Sequence, residues 1–160
     1  MQKASIQEIQ DLLINLPNED IEIIHNVVKK LVLNKDKKNT YIHKILGMEN
    51  EWRNDTLIMR MPITPLTHNT LGAVHGGIIA TLLDTTMGTH ANSSILPEQA
   101  TVTVDLQIRY LKVANGKELI CKSRIIQKGK NIVVTEGKVL KEDGKVCAIA
   151  TGSFFIIPKK

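Results

Sequence analysis

The stretch from His75 to Asn92 constrains the fold more than any other part of this sequence, because it has no proline and keeps apolar residues at helical spacing. Its apolar side chains include Ile78, Ile79, Leu82 and Leu83, a pattern that indicates one long buried helix. Four strand-like segments follow it: Thr101 to Leu111, Glu118 to Gln127, Lys130 to Lys141 and Lys145 to Ile157. One helix followed by a long antiparallel meander implies a sheet that wraps around the helix. We therefore expect an α+β fold with an antiparallel sheet around one central helix.

The turns and the side-chain alternation support these strands. Turn dipeptides lie at hairpin spacing at Asn115-Gly116, Lys128-Gly129 and Asp143-Gly144. The first strand alternates between an apolar face and a polar one; the apolar face has Val102, Val104, Leu106, Ile108 and Tyr110, and the polar face has Thr103, Asp105, Gln107 and Arg109. Ahead of the helix, the sequence predicts a helical turn at Tyr41 to Leu46 and two strands, Met48 to Trp52 and Thr56 to Ile63.

The first 39 residues are predicted to form a helical extension to a main domain at residues 40–160. Ser5 and Glu8 form a capping box before an apolar helical repeat, and a second amphipathic helix follows the break at Pro17-Asn18. The extension carries six basic and six acidic side chains. Because binding to DNA phosphates needs a net basic face, a packed helical hairpin is favoured over a DNA-binding module.

Composition excludes several classes of function. The net charge of +5 would suit a polyanionic partner or a phosphate-bearing ligand, but only 3% of the 160 residues are aromatic, so no stacking platform for nucleic acid is expected. No apolar run approaches the roughly 20 residues that span a bilayer, and the N-terminus does not resemble a secretory signal, so we expect a cytoplasmic protein. Cys121 and Cys147 lack metal-ligand spacing and are predicted core residues, and no metal site is expected.

The segment from Asn69 to Asp84 carries the chemistry. It reads N-x-x-G-x-x-H-G-G, with a single carboxylate nine residues after His75. Gly76 and Gly77 at a helix start leave backbone N–H groups unpaired, and together with the helix dipole these favour an oxyanion. An acid further along the same helix, Asp84, would attack a carbonyl or activate water.

Helix geometry separates the two halves of this motif. Nine residues rise about 13 Å and end half a turn away, so His75 and Asp84 face opposite sides of the helix. Two antiparallel copies related by a two-fold axis would bring Asp84 of one chain to the Gly76 end of the other. The sequence therefore predicts a homodimer with two shared sites.

Taken together, these residues resemble the hotdog-fold acyl-CoA thioesterases of the phenylacetate-pathway type, within the 4-hydroxybenzoyl-CoA thioesterase-like group. The resemblance covers roughly Thr40 to Ile157. Besides the motif, it includes the runs at 102–106, 109–111, 143–145 and 148–152. It implies a hotdog fold, hydrolysis of an acyl-CoA to free acid and CoA, and a site at a dimer interface.

The resemblance also implies a role for each residue of the motif. The Gly76 N–H would polarise the thioester carbonyl, Asn69 would hold either that carbonyl or the attacking water, and His75 would orient the loop or the thioester. Asp84 of the partner would act as nucleophile or as general base. Thr103 would assist the acid, although the alternation of its strand requires a bulge or twist to bring it to the helix.

Substrate contacts are expected from a second set of residues. Gly77, Val74 and Met87 are expected to contact substrate, with helix core as the alternative for Val74 and Met87. Lys128 and Lys130, or alternatively Arg109 or Lys112, would bind the CoA phosphates. The other possibility is that these side chains are exposed to solvent and bind nothing. CoA is part of the substrate, and no other cofactor is implied.

Two further functions remain open at this point. One is a non-catalytic acyl-CoA sensor, since hotdog domains joined to a DNA-binding helical segment act as regulators of lipid genes. The other is a hydratase or dehydratase of the same fold. The neutral extension and the presence of Asp84 favour the enzyme. Aromatic, short-chain and medium-chain acyl groups are all compatible with the sequence, as are a dimer and a tetramer.

Overall fold

The computed structural model describes residues 5 to 159, and the chain divides into two compact units after Ile45. The first unit contains helices α1 (Ile6–Leu13) and α2 (Asn18–Leu33), and α3 (Tyr41–Leu46) ends at the division. The Ser5 hydroxyl caps α1 by accepting a hydrogen bond from the Glu8 N–H at 3.1 Å, as the sequence predicts. None of the described helices is long and apolar enough to cross a membrane.

The second unit is one antiparallel sheet with a long helix packed against it. Its strands are β1 (Glu49–Arg53), β2 (Thr56–Pro62), β3 (Gln99–Tyr110), β4 (Glu118–Lys128), β5 (Ile132–Lys141) and β6 (Val146–Pro158). They pair in the order β1-β2-β4-β5-β6-β3, so that β1 and β3 are the edges of the sheet. Helix α4 (Gly76–Ser93) contacts β2, β3, β4, β5 and β6. The predicted sheet around a central helix is confirmed.

The core lies between α4 and the sheet. The helix buries apolar residues along its length: Ile79, Leu82, Leu83, Met87 and Ala91. Gly137 in β5 lets the helix approach closely, because a Cβ atom there would lie 2.7 Å from the Met87 sulfur and 2.9 Å from Leu83 Cδ2. A glycine inside a strand often marks a position where a neighbouring element approaches the backbone closely.

Strand β3 corrects the predicted alternation. Its pairing with β6 shifts register between Thr103 and Asp105, so Val104 is the extra residue of a β-bulge. Before the bulge, Thr103 pairs with the buried Phe154 and faces the helix; after it, Leu106 and Ile108 pack on the core. Val102 and Val104, expected on the same face as Leu106, are instead 45% and 61% exposed. The expectation of one continuous apolar face was wrong because a bulge reverses the side-chain direction.

We predict that Gly137→Ala destabilises the second unit by about 1 to 3 kcal/mol, because the added methyl group overpacks the contact with Met87 and Leu83. Urea unfolding measures the change. The control is Lys138→Ala, the exposed neighbour on the same strand, for which a change within about 0.5 kcal/mol is expected. Equal stability of the Gly137→Ala variant and the wild type would contradict the close approach of helix and strand.

Candidate active site

The N-terminus of α4 is capped by His75. This residue has extended backbone geometry, and its Nδ1 accepts a hydrogen bond from the Gly77 N–H at 2.9 Å. Since Nδ1 is the acceptor, the neutral ring carries its proton on Nε2. The Gly76 N–H has no acceptor among the hydrogen bonds of residues 5 to 159. Of the two glycine N–H groups, the one on Gly76 is therefore left for a ligand.

The loop before the helix is closed by Asn69. Its Oδ1 accepts hydrogen bonds from the N–H groups of Leu71 at 2.9 Å and Ala73 at 3.2 Å, and its own N–H donates to the Ala73 carbonyl at 2.7 Å. Gly72, with φ at +73°, supplies the left-handed residue that this tight loop needs. Because Oδ1 is occupied, the Asn69 side chain has its Nδ2 amide group left to donate.

Asp84 lies on α4 beside the edge strand, and Thr103 reaches it. The Thr103 hydroxyl donates a hydrogen bond to Asp84 Oδ1 at 2.9 Å. The bulge at Val104 makes this contact possible, because it turns Thr103 toward the helix. The second carboxylate oxygen, Oδ2, takes part in none of the hydrogen bonds or ion pairs between described residues. The half-buried acid thus has one oxygen fixed and one available.

The donor and the acid lie far apart within one chain. Asp84 follows Gly76 by eight residues on the same continuous helix, which corresponds to a rise of about 12 Å. A reacting carbonyl needs an oxyanion donor and a nucleophile each about 3 Å away. The two groups of one helix therefore cannot act on the same carbonyl.

The predicted substrate-contacting residues occupy four different environments. Val74 and Met87 are 4% and 0% exposed and belong to the core cluster, as the helix-core alternative expects. The Lys128 ammonium donates to the Ser94 carbonyl at the C-terminal end of α4, the end opposite Gly76. Lys130 lines an open groove of about 250 Å³ beside Gln99 and Asn131. Gly77 lies under the His75 ring, and an added Cβ atom would come within 3.0 Å of Nδ1.

One residue at the helix N-terminus was missed by the sequence reasoning. The Tyr110 hydroxyl, at the end of β3, donates a hydrogen bond to the Gly76 carbonyl at 3.0 Å. The sequence placed Tyr110 only on the apolar face of its strand. No local pattern signals a contact between residues so far apart in the chain, and the one available clue is that Tyr110 ends a strand that runs beside the helix.

The other titratable groups of the core do not compete for the role of nucleophile. Burial raises the pKa of the Cys121 thiol to about 12 and also raises the pKa of Cys147, so both stay protonated and inert at neutral pH. Burial lowers the pKa of His90, whose Nδ1 is fixed at 3.0 Å by the Ser123 carbonyl. Within the part of the chain that the structure describes, no cluster of three or more His, Cys, Asp or Glu residues could bind a metal.

Comparison with known proteins identifies the family. The thioesterase superfamily model matches residues 71–148. Acyl-coenzyme A thioesterase 13 of Mus musculus is 32% identical over 98 residues, which are 59% of this chain and 68% of that protein. A curated relative from Saccharolobus solfataricus is 32% identical over 89 residues, or 56% of this chain. The match spans 63% of that relative, so this chain covers less than two thirds of its length.

A solved structure is similar over nearly the whole chain. The BH2602 protein from Bacillus halodurans, crystallised with CoA, is 36% identical, with a TM-score of 0.85. The match covers 91% of this chain and 98% of that one, which is more than the second unit alone provides. The predicted resemblance and the predicted fold are confirmed. This chain is a member of the thioesterase superfamily with the hotdog fold.

Proposed function

We propose that this protein hydrolyses acyl-CoA thioesters to the free acid and CoA. The observation that carries the proposal is the 2.9 Å hydrogen bond from Thr103 to Asp84, which holds a half-buried acid on the helix that begins with the unpaired Gly76 N–H. The CoA in the structure of the Bacillus halodurans protein and the name of the mouse relative support acyl-CoA as the substrate class.

The acid would promote attack on the thioester. With Oδ1 held by Thr103, Asp84 Oδ2 would take a proton from water as the water oxygen bonds to the carbonyl carbon. Alternatively, Oδ2 would bond to that carbon directly, expel the CoA thiolate and form an anhydride that water then hydrolyses. In both routes the CoA thiolate leaves, and the net reaction adds one water molecule across the C–S bond.

The N-terminus of α4 would bind the oxyanion. The Gly76 N–H and the positive end of the helix dipole are both favourable to the negative charge that develops on the carbonyl oxygen. The Asn69 Nδ2 group and the His75 Nε2–H are the side-chain donors left over once their other polar atoms are paired. Their role would be to donate to the thioester, so Asn69 would hold the carbonyl and not accept from the attacking water.

Each site would combine two chains. Strand β3 is a 12-residue edge strand, with Val102 and Val104 exposed beside Thr103. A long, partly apolar edge favours pairing with another strand. Antiparallel pairing of two β3 strands about a two-fold axis would bring Asp84 of one subunit toward the Gly76 end of the other, in a dimer or in a tetramer built from dimers.

The CoA phosphates would be bound by lysine side chains. Lys130 is exposed at the 250 Å³ groove near the start of β3, whereas the Lys128 ammonium already binds the Ser94 carbonyl. An ammonium group that is free to reorient is the better point charge for a phosphate. We therefore expect Lys130 to contribute more than Lys128 to binding of the CoA phosphates.

Asp84→Asn is expected to lower kcat by about 100-fold or more, because the amide neither accepts a proton nor attacks. A chromogenic reagent that reacts with thiols measures CoA release from a panel of aromatic, short-chain and medium-chain acyl-CoAs. Asp36→Asn, a change in an exposed acid of the first unit, is the control and should leave kcat unchanged. If Asp84→Asn releases CoA as fast as the wild type, the mechanism is wrong. If the wild type binds acyl-CoA tightly but releases no CoA, the sensor function is favoured.

Mixing two inactive variants tests the shared site. Gly76→Pro deletes the N–H, yet proline suits the first helical position, and His75 already has the extended backbone that a residue before proline prefers. Refolding Gly76→Pro with Asp84→Asn should restore about a quarter of the wild-type activity, since half of the dimers would carry one intact site of two. If the mixture stays as inactive as its components, the site is not shared between chains.

Thr103→Val is expected to lower kcat by about tenfold or more, because it removes a hydrogen bond to a charged group while keeping the side-chain shape. Thr103→Ser retains the hydroxyl and is the matched control, with an expected loss of less than about threefold. The same thiol-release assay measures both variants. Equal activity of the valine and serine variants would show that the hydroxyl does not assist Asp84.

A further inference from the structure

The peptide unit that joins Gly76 to Gly77 is held at both ends by side chains. Its carbonyl oxygen, on Gly76, accepts a hydrogen bond from the Tyr110 hydroxyl at 3.0 Å. Its N–H, on Gly77, donates to His75 Nδ1 at 2.9 Å. The two contacts come from opposite directions in the chain, since His75 precedes the helix and Tyr110 ends β3. Together they fix the plane of this one peptide.

This peptide needs such support more than others do. Two successive glycines have the widest choice of backbone dihedrals, so the first turn of α4 is less stiff than one built from other residues. The Gly76 N–H belongs to the preceding peptide and shares the Gly76 Cα with the held one. Oxyanion stabilisation depends on donors that are already aimed before charge develops. A tilt of the Gly76–Gly77 peptide would change the direction of the Gly76 N–H.

We propose that Tyr110 is a positioning residue for the thioesterase reaction: together with His75 it holds the Gly76–Gly77 peptide, so that the Gly76 N–H stays directed at the thioester oxygen. The inference rests on the proposed function. It assigns to Tyr110 a task that acts through the backbone of Gly76 and not through contact with the reacting atoms.

The environment of Tyr110 favours this role over simple packing. The side chain is 53% exposed, so the ring contributes little to the core. An added Cβ atom on Gly76 would sit 3.6 Å from the ring and hydroxyl of Tyr110, at ordinary van der Waals distance, so the phenol lies directly over the first residue of the helix. A half-exposed phenol is expected to point its hydroxyl to water unless a partner holds it.

The same strand also sets the position of the acid. Besides the Tyr110 bond, β3 reaches α4 through the Thr103 hydroxyl on Asp84 and through the Thr101 N–H, which donates to Asn92 Oδ1 at 2.8 Å. These three bonds lie along the helix in order, from its first residue to its last turn. Strand β3 therefore fixes both the donor end of the helix and the acid.

Tyr110→Phe tests the proposal, because it keeps the ring on Gly76 and deletes only the hydroxyl. We expect kcat to fall about three- to tenfold with KM for acyl-CoA unchanged within about twofold, as for the loss of an interaction that matters in the transition state. The chain has two tyrosines, so Tyr41→Phe, in an exposed residue of the first unit, is the matched control. An unchanged kcat would overturn the proposal. If KM is also unchanged, Tyr110 has no role in the reaction; if KM is raised, Tyr110 is a substrate contact.

A measurement without substrate separates this proposal from the proposed function. The chain has ten glycines, so ¹⁵N-glycine labelling gives one amide signal for each. In Tyr110→Phe, amide hydrogen exchange at Gly77, whose N–H is paired with His75 Nδ1, should accelerate at least about threefold, while the distant turn residue Gly144 stays unchanged. Unchanged exchange at Gly77 would refute the holding role whatever the result of the thioesterase assay.

His75 variants examine the other end of the peptide. His75→Ala removes the acceptor for the Gly77 N–H, whereas His75→Asn restores a side-chain cap of the kind preferred at helix starts. Gly77 exchange should accelerate in the alanine variant and return toward the wild-type rate in the asparagine variant. Combining His75→Ala with Tyr110→Phe should change Gly77 exchange by a factor different from the product of the single effects. A simple product would mean that the two side chains do not act on one peptide.

Discussion

Burial of helix α4 against the sheet is the constraint on which the rest of this structure depends. The helix brings its apolar residues into one core, and Gly137 lets the sheet close on Met87 without overpacking. As a continuous helix with exposed residues at both ends, α4 also determines where the reactive groups lie. Its N-terminus offers the Gly76 N–H, and Asp84 emerges two turns later beside the edge strand β3.

Much of the fold and part of the site could be predicted because their signals are local. The start of α4 follows from His75 and the glycine pair, and its length from a proline-free apolar repeat. The turn between β1 and β2 follows from Asn54, which has a positive φ of 52°. Each of these features is decided by residues within a few positions of one another, so sequence spacing is enough to find it.

The rest could not be predicted because it depends on which distant segments meet. The bulge at Val104 arises from the pairing of β3 with β6, and it moved Val102 and Val104 out of the face that alternation assigned to them. The contact of Tyr110 with Gly76 and that of Lys128 with the C-terminal end of α4 join residues 34 positions apart. The spacing of residues along the chain does not indicate such contacts. They are determined by which segments pack or pair in the folded protein.

The bulge in β3 also changes what the free edge of the sheet offers to other strands. A regular edge strand of 12 residues would offer an unbroken ladder of backbone groups to any extended chain that it meets. The extra residue at Val104 interrupts that ladder near its middle and increases the local twist. A regular strand then matches only one side of the bulge at a time, whereas a second β3 strand, the partner proposed above, carries the same irregularity. The irregularity that directs Thr103 at Asp84 thus also makes the free edge of the sheet a poorer template for regular strands.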